Sequence, residues 1–301
     1  MRVILVFVDG LGIGKEDPEV NPMFSSRLPL LSELCGGKLP SSQHKQFNSQ
    51  RSVLIPVNAT LGVPALPQSG TGQAAIFTGV NAAKTFGKHF GPYPPLMLHP
   101  IIGEKNIFRR LTDRGKRATF TNAFPKRFFE YTESGTRRLT VTTLAWMMSG
   151  FKLLTAEALQ ENRAISADFT RDKWPELGHP EIEPTTCEEA GEHLWNIARD
   201  NDFTLFEYWL TDHAGHSQKK EFAVEVLERL DLFLSGFFRN FDFDDSLFVL
   251  VSDHGNIEDL STKSHSRNPV PCILAGNKSH EASQRIKSLV HITPTILSVL
   301  S

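Results

Sequence analysis

Six apolar runs of strand length punctuate the chain, at 2–8, 53–57, 117–121, 203–210, 246–252 and 270–275, and several of them do not alternate with polar residues. Stretches such as "VILVFV" and "LFVLV" have no polar face to offer to water, so both of their faces must be covered. That is the condition of a strand inside a parallel sheet; a sheet with one wet face would read apolar-in, polar-out. Stretches with helical spacing lie between the runs, at 71–80, 105–114, 139–149, 187–200, 218–239, 280–289 and 293–300. Strands alternating with helices predict a doubly wound α/β chain with a mostly parallel central sheet. Loop-forming residues gather at 12–26, 36–52, 86–100 and 122–138.

In open sheets of this kind ligands bind beyond the carboxyl ends of the strands, so the residues immediately after each apolar run carry the functional information. Asp9 comes after "RVILVFV", Asp212, His213 and His216 come after "TLFEYWLT", and Asp253 and His254 come after "SLFVLVS". A single Asp in such a place is commonly a turn or capping residue. Three strand ends that each bring a carboxylate, two with a His close behind, point to a shared site. Asp212 and His216 have i, i+4 spacing and would share one side of a helical turn. Asp253 and His254 stand at a strand-to-loop corner, where both can reach one crevice and bridge or serve neighbouring ions. His265 lies in "SHSRNPVP", just before the next buried run, so its loop returns to the same sheet edge. Oxygen and nitrogen donors without thiolates suit catalytic Zn²⁺ or Mn²⁺ and argue against a structural zinc site. His213 reads as a solvated or supporting neighbour, and Glu258 and Asp259 as residues serving their own loop.

"LPQSGTGQAAIFTG" places Ser69 at or just before a helix N-terminus, where free N–H groups and the helix dipole favour an anion. Taken alone, the stretch fits a capping residue. Beside the donor set it becomes a candidate nucleophile, because a divalent metal can hold a serine hydroxyl as an alkoxide without a separate base.

Taken together and in order, "VFVDGLG", "PQSGTGQ", "TDHAGHS" and "SDHGN" followed by "HSRNPVP" resemble the motifs of the alkaline phosphatase superfamily. They are closest in style to cofactor-independent phosphoglycerate mutase and phosphopentomutase, and "HITPTILSVL" resembles the family's last helix. The resemblance implies an alkaline-phosphatase-like three-layer α/β/α sandwich. It implies two divalent metal ions, Zn or Mn, one bound by Asp212, His216 and His265 and the other by Asp9, Ser69, Asp253 and His254. It also implies a phosphoserine intermediate at Ser69 and a small phosphorylated substrate. Two departures matter. Gln73 stands where the mutases usually carry a His, and the gap between Gly79 and Asp212 is too short for their full second domain. A mutase must retain its intermediate behind a closing lid, so the short gap favours a phosphatase or phosphodiesterase, with a phosphomutase as the alternative. The sulfatase pattern C/S-x-P-x-R is missing from "SGTGQ".

Thr71, Gln73, Asn256 and Asn81 are expected near phosphoryl oxygens from their proximity to the motifs. Lys126, Arg127, Arg137 and Arg138 form a basic cluster able to grip a second anionic group. The loop "GKHFGPYPP" at 87–95 reads as packed structure that could also wall the site. Gly10, Gly12 and Gly14 offer a rival dinucleotide-binding reading, but the third fingerprint position is Lys15 and Asp9 would face the pyrophosphate.

A chain of 301 residues that is 40% hydrophobic can bury one large core, and the expectation is one catalytic domain over 1–301. The segment 122–186 is either a small cap or an elaboration of that domain. With 32 Lys and Arg against 34 Asp and Glu and no run of like charge, nothing marks a nucleic-acid or membrane-surface partner. The start of the chain reads as a buried strand and not as a signal peptide, and no run approaches the roughly 18 apolar residues of a membrane span. Cys35, Cys187 and Cys272 are scattered without C-x-x-C spacing, which fits a reducing cytoplasm. The oligomeric state is left open.

Overall fold

The computed structural model describes residues 1–135 and 138–301. Seven strands form one sheet: β1 Arg2–Val8, β2 Phe47–Asn48, β3 Ser52–Val57, β4 Ala118–Phe120, β5 Phe203–Tyr208, β6 Ser246–Val251 and β7 Val270–Gly276. Their order across the sheet is β2-β3-β7-β6-β1-β5-β4. Strands β6, β1, β5 and β4 pair in parallel, whereas β7, β3 and β2 extend the sheet through antiparallel pairings. The expectation of an α/β fold with a parallel core therefore holds, and the sheet as a whole is mixed.

The unalternating runs are explained by two cores. Val3, Leu5 and Phe7 of β1 enter one apolar cluster with Phe203, Leu205, Leu247 and Val249. Ile4, Val6 and Val8 enter the other with Phe206, Tyr208, Phe248 and Leu250. Successive side chains point to opposite faces of a strand, so a strand apolar at every position is one covered by helices on both sides. Burying such a Leu, Ile, Val or Phe contributes about 1.5–3 kcal/mol each.

One helical layer contains Ser69–Thr78, His99–Lys105, Ile107–Thr112, Val141–Met148 and Ile292–Val299; the other is dominated by Cys187–Ala198 and Lys220–Phe238. The last two helices meet backbone to backbone: a Cβ on Gly236 would run into the Glu188 carbonyl, and one on Gly191 into that of Phe233. The segment 122–186 contributes Trp146 to one core and Phe169 to the other, and it adds a small cluster of its own around Leu159 and Trp174.

Candidate metal centre and nucleophile

Because β6, β1 and β5 are parallel neighbours, their carboxyl ends open side by side, and this alone brings Asp253, Asp9 and Asp212 together. β5 stops at Tyr208, two residues short of the expected strand, and the helix Leu210–Ser217 turns Asp212 and His216 onto one face. His216 Nε2 lies 3.3 Å from Asp212 Oδ2, and His265 Nε2 lies 3.6 Å from Asp212 Oδ1. Close approach is built into the loop after β1. Gly10 has φ +71, and a Cβ there would stand 2.7 Å from Asp212 Oδ1.

Ser69 opens the helix Ser69–Thr78, and its Oγ is 2.9 Å from His254 Nε2. The same nitrogen is 3.2 Å from Asp9 Oδ1 and 3.6 Å from Asp253 Oδ2. The rings of His254 and His265 stack with centroids 3.7 Å apart. All seven expected donors thus converge. Asp212, His216 and His265 form one group of donor atoms mutually within 4.8 Å, and Asp9, Asp212 and His254 form a second. Asp212 therefore stands between the two groups instead of in one alone, and Asp253 joins the second through Asp9 and His254.

The site fits divalent cations on three grounds. His265 Nδ1 is 2.8 Å from Pro67 O and His216 Nδ1 is 2.7 Å from Lys263 O, which fixes Nδ1 as the protonated nitrogen and leaves Nε2 free as a donor. Asp9 Oδ1, Asp253 Oδ2 and His254 Nδ1 are buried without a hydrogen-bond partner among the described residues. Finally, among the described residues no Lys or Arg pairs with Asp9, Asp212 or Asp253; their ion-pair partners are all His. Burial, with repulsion from Asp212 and Glu207, pushes the Asp9 carboxyl well above its ordinary range, and burial followed by Asp9 does the same to Asp253. Burial acts upward on Asp212 as well, but hydrogen bonds to His216 and Asn256 and the charge of His254 hold it below its ordinary value. His265 is lowered to about 4 by burial and by His254, while its hydrogen bond to Asp212 raises His216. A divalent cation among Asp9 and Asp253 would offset both the burial and the mutual repulsion that raise them.

The residues expected at phosphoryl oxygens are committed elsewhere. Thr71 is fully buried; its Oγ1 donates to Gln68 O and accepts from Phe90 N–H. Gln73 Nε2 donates to Asp9 Oδ2 at 3.2 Å, and Asn256 Nδ2 donates to Asp212 Oδ1 at 2.7 Å. Both hold carboxylates in place and face the protein interior. Asn81 caps the helix Ala82–Phe86. Lys126 makes an exposed pair with Glu130, Arg138 lines a separate cavity, and Arg137 lies outside the described residues. His213 is exposed beside Trp209 and Phe222.

Glu258 reaches further than its own loop. Its Oε2 accepts the Gly12 N–H at 3.1 Å, and its Oε1 accepts from Asn268 Nδ2 at 3.0 Å and from the Ser266 hydroxyl. Gly12 has no room for a Cβ against this carboxylate. The glycines after β1 therefore serve close approach of loops, and the dinucleotide reading loses its structural basis. Glu207, inside β5, is an acid that sequence reasoning misses; it is buried, and burial raises its carboxyl to about 8. A Glu within the apolar "FTLFEY" is the one visible signal.

A family model described as the Metalloenzyme superfamily matches residues 180–301. The 2,3-bisphosphoglycerate-independent phosphoglycerate mutase of Antithamnion sp. is 28% identical over 152 residues, which cover 47% of this chain and 29% of that protein. The enzyme of the same name from Pyrococcus abyssi is 31% identical over 80 residues, 27% of this chain and 19% of that one. The matched stretches span less than a third of either relative's length. In structure, a Pyrococcus horikoshii protein superposes with TM-score 0.60 at 14% identity over 99% of this chain and 96% of its own. The alkaline phosphatase of the Antarctic bacterium TAB5 gives 0.56 at 14% identity over 99% and 98%. Residues 180–301 therefore match the Metalloenzyme superfamily, part of the chain is homologous to the cofactor-independent phosphoglycerate mutases, and the fold is alkaline-phosphatase-like.

Proposed function

We propose that this protein is a metal-dependent phosphohydrolase acting through a phosphoserine at Ser69, on a small phosphorylated substrate. The observation that carries this reading is the position of Ser69 Oγ: it sits at the first residue of a buried helix, 2.9 Å from His254 Nε2, among carboxylates that no Lys or Arg of the described residues neutralises. Asp212, His216 and His265 would hold one ion, and Asp9, Asp253, His254 and Ser69 the other, with Asp212 between them. Divalent ions bound there would acidify the Ser69 hydroxyl and offset charge developing on the phosphoryl oxygens.

The chain supplies position. Thr71 N–H donates to Phe90 O at 3.0 Å and Gly72 packs on Asp253, so the first turn of the helix is pinned between a loop and a ligand-bearing corner. The helix N-terminus then faces the anionic group, and Ser69 Oγ attacks phosphorus from the side opposite the leaving oxygen. Water releases phosphate from Ser69 in a second displacement. Zn²⁺ and Mn²⁺ both suit the donor set.

The homology to mutases supports a second reading, phosphomutase, in which the phosphoryl group returns to another hydroxyl. Hydrolysis is favoured because the segment 122–186 sends Trp146 and Phe169 into the main cores, and so has fewer residues free to form a closing domain. The deciding experiment is hydrolysis of p-nitrophenyl phosphate and bis-p-nitrophenyl phosphate by protein stripped of metal and reloaded with Mn²⁺ or Zn²⁺. Metal-dependent turnover lost in Ser69→Ala supports the reading, and the preferred ester separates monoesterase from diesterase. Absence of turnover at full metal loading would shift it to the mutase.

A further inference from the structure

A cavity of about 1120 Å³ has none of the metal donors among its described lining residues. It is lined by the loop 90–96, by residues of the helices Lys126–Glu133 and Val141–Met148, and by Arg138 and Leu139. Phe90, Tyr93, Leu96, Leu144 and Met147 make the lining predominantly apolar. Two features connect it to the chemistry. A Cβ on Gly91, in the cavity wall, would stand 3.2 Å from Ser69 N, and Gly70 meets the Tyr93 carbonyl so closely that a Cβ would not fit. One strand of chain therefore forms both the cavity wall and the support of the nucleophile.

The second feature is the rim. Large apolar side chains left exposed are Phe90, Leu96, Met97, Tyr131 and Met147, with Trp209 and Leu232 elsewhere, and Leu96 is 80% exposed. Phe90, Leu96 and Met147 line this cavity, and Met97 and Tyr131 adjoin lining residues. A concentration of exposed apolar surface around one concavity marks a binding site. A compact polyhydroxy acid would find few polar partners here, chiefly His99, Thr132, Glu133 and Arg138.

We propose that this cavity receives the leaving group of the substrate, and that the leaving group is a bulky hydrocarbon, so that the substrate is an amphiphilic phosphomonoester. The inference deepens the phosphohydrolase reading and rests on it. In the reaction the ester P–O bond breaks, Ser69 Oγ takes the phosphoryl group, and the hydrocarbon alcohol leaves with a proton into the cavity. Water then frees phosphate from Ser69.

The test pairs binding with turnover on Mn²⁺-loaded protein. Octylphosphonate and ethylphosphonate are titrated by calorimetry, and phosphate release is followed from octyl and ethyl phosphate. Each methylene that enters the cavity strengthens binding by roughly three- to fourfold, so octylphosphonate is expected to bind at least tenfold more tightly than ethylphosphonate. Inorganic phosphate should displace it, and Leu144→Asp or the rim variant Met147→Glu should reduce the preference. Equal affinity for the two phosphonates overturns the proposal, as does failure of phosphate to compete or an octyl preference untouched by both variants. A dimer that dissociates in Met147→Glu, without any octyl preference, assigns the rim to self-association and also overturns it. Tight, phosphate-competitive octyl binding without phosphate release from either ester leaves the apolar site standing and sinks the hydrolase reading alone.

Discussion

The Nε2 atoms of His216 and His265 face each other across 3.2 Å while each ring's Nδ1 is engaged by a backbone carbonyl. With Nδ1–H donating on both rings, two lone pairs point into the same space, next to Asp212. A divalent cation satisfies both lone pairs and the Asp212 carboxylate at once, whereas a proton on one ring satisfies only one of the two nitrogens as donor. Removing divalent metal with a chelator is therefore expected to lower Tm, and readdition of Mn²⁺ or Zn²⁺ to restore it. At a hundredfold excess over Kd the stabilisation is about 2.7 kcal/mol, or roughly 3–6 °C for a chain of this size. A Tm indifferent to chelator and metal would contradict the assignment; His265→Ala should abolish most of the response.

Ser69→Ala removes the nucleophile together with one of the four groups expected to hold the second ion. The helix backbone is unchanged and Asp9, Asp253 and His254 remain, so the ion expected at Asp212, His216 and His265, and most of the metal-dependent gain in Tm, should be retained. Turnover of p-nitrophenyl phosphate should fall by at least about a thousandfold, as expected when covalent catalysis is removed. Residual activity within tenfold of the parent would mean that water attacks directly.

Glu207 gives a pH signature. Its folded-state carboxyl, raised by burial to about 8, lies above its ordinary value of 4.5. Between those values the folded chain keeps a proton that the unfolded chain has lost. Stability associated with this group is thus fully present below about pH 4.5 and declines as pH rises toward 8. In metal-free protein Glu207→Gln should remove that decline. The difference in urea unfolding free energy between variant and parent should grow by a few kcal/mol from pH 5 to pH 8.5. A difference that stays constant with pH would place Glu207 in contact with compensating charge.

Gly236→Ala probes the close meeting of the helices Cys187–Ala198 and Lys220–Phe238. The added methyl group would strike the Glu188 carbonyl oxygen, which is backbone and cannot swing away. A cost of about 1–3 kcal/mol is expected, read as a fall in Tm of roughly 2–6 °C with the metal sites unaffected. An unchanged Tm would mean that the helix pair slides apart freely.

Much of the site was legible because parallel strands place their ends in register. Apolar runs ending at Asp9, Asp212 and Asp253 announce both the sheet and the crevice, and the spacing of Asp212 and His216 survives as one helical turn. What sequence proximity could not supply was direction. Thr71, Gln73 and Asn256 stand within a few residues of Ser69 or Asp253, yet their polar atoms turn inward to hold a loop and two carboxylates. The antiparallel half of the sheet was equally hidden, since β7 and β3 are covered on both faces and read like their parallel neighbours. Glu207 was masked by the apolar run around it. The cavity beside Ser69 could not be foreseen, because its walls are about 40 residues apart in the chain.

Glu258 ties Gly12 to Ser266 and Asn268, joining the loop that supplies Asp9 to the loop that supplies His265. A tether of this kind makes two loops distant in sequence a single unit of inheritance. A longer residue at position 12 is admissible only alongside a shorter one at 258, and a loss at 258 leaves the polar groups of 266 and 268 without their acceptor. Across descendants of this fold, those four positions should change together or not at all, while the ligands they brace stay fixed.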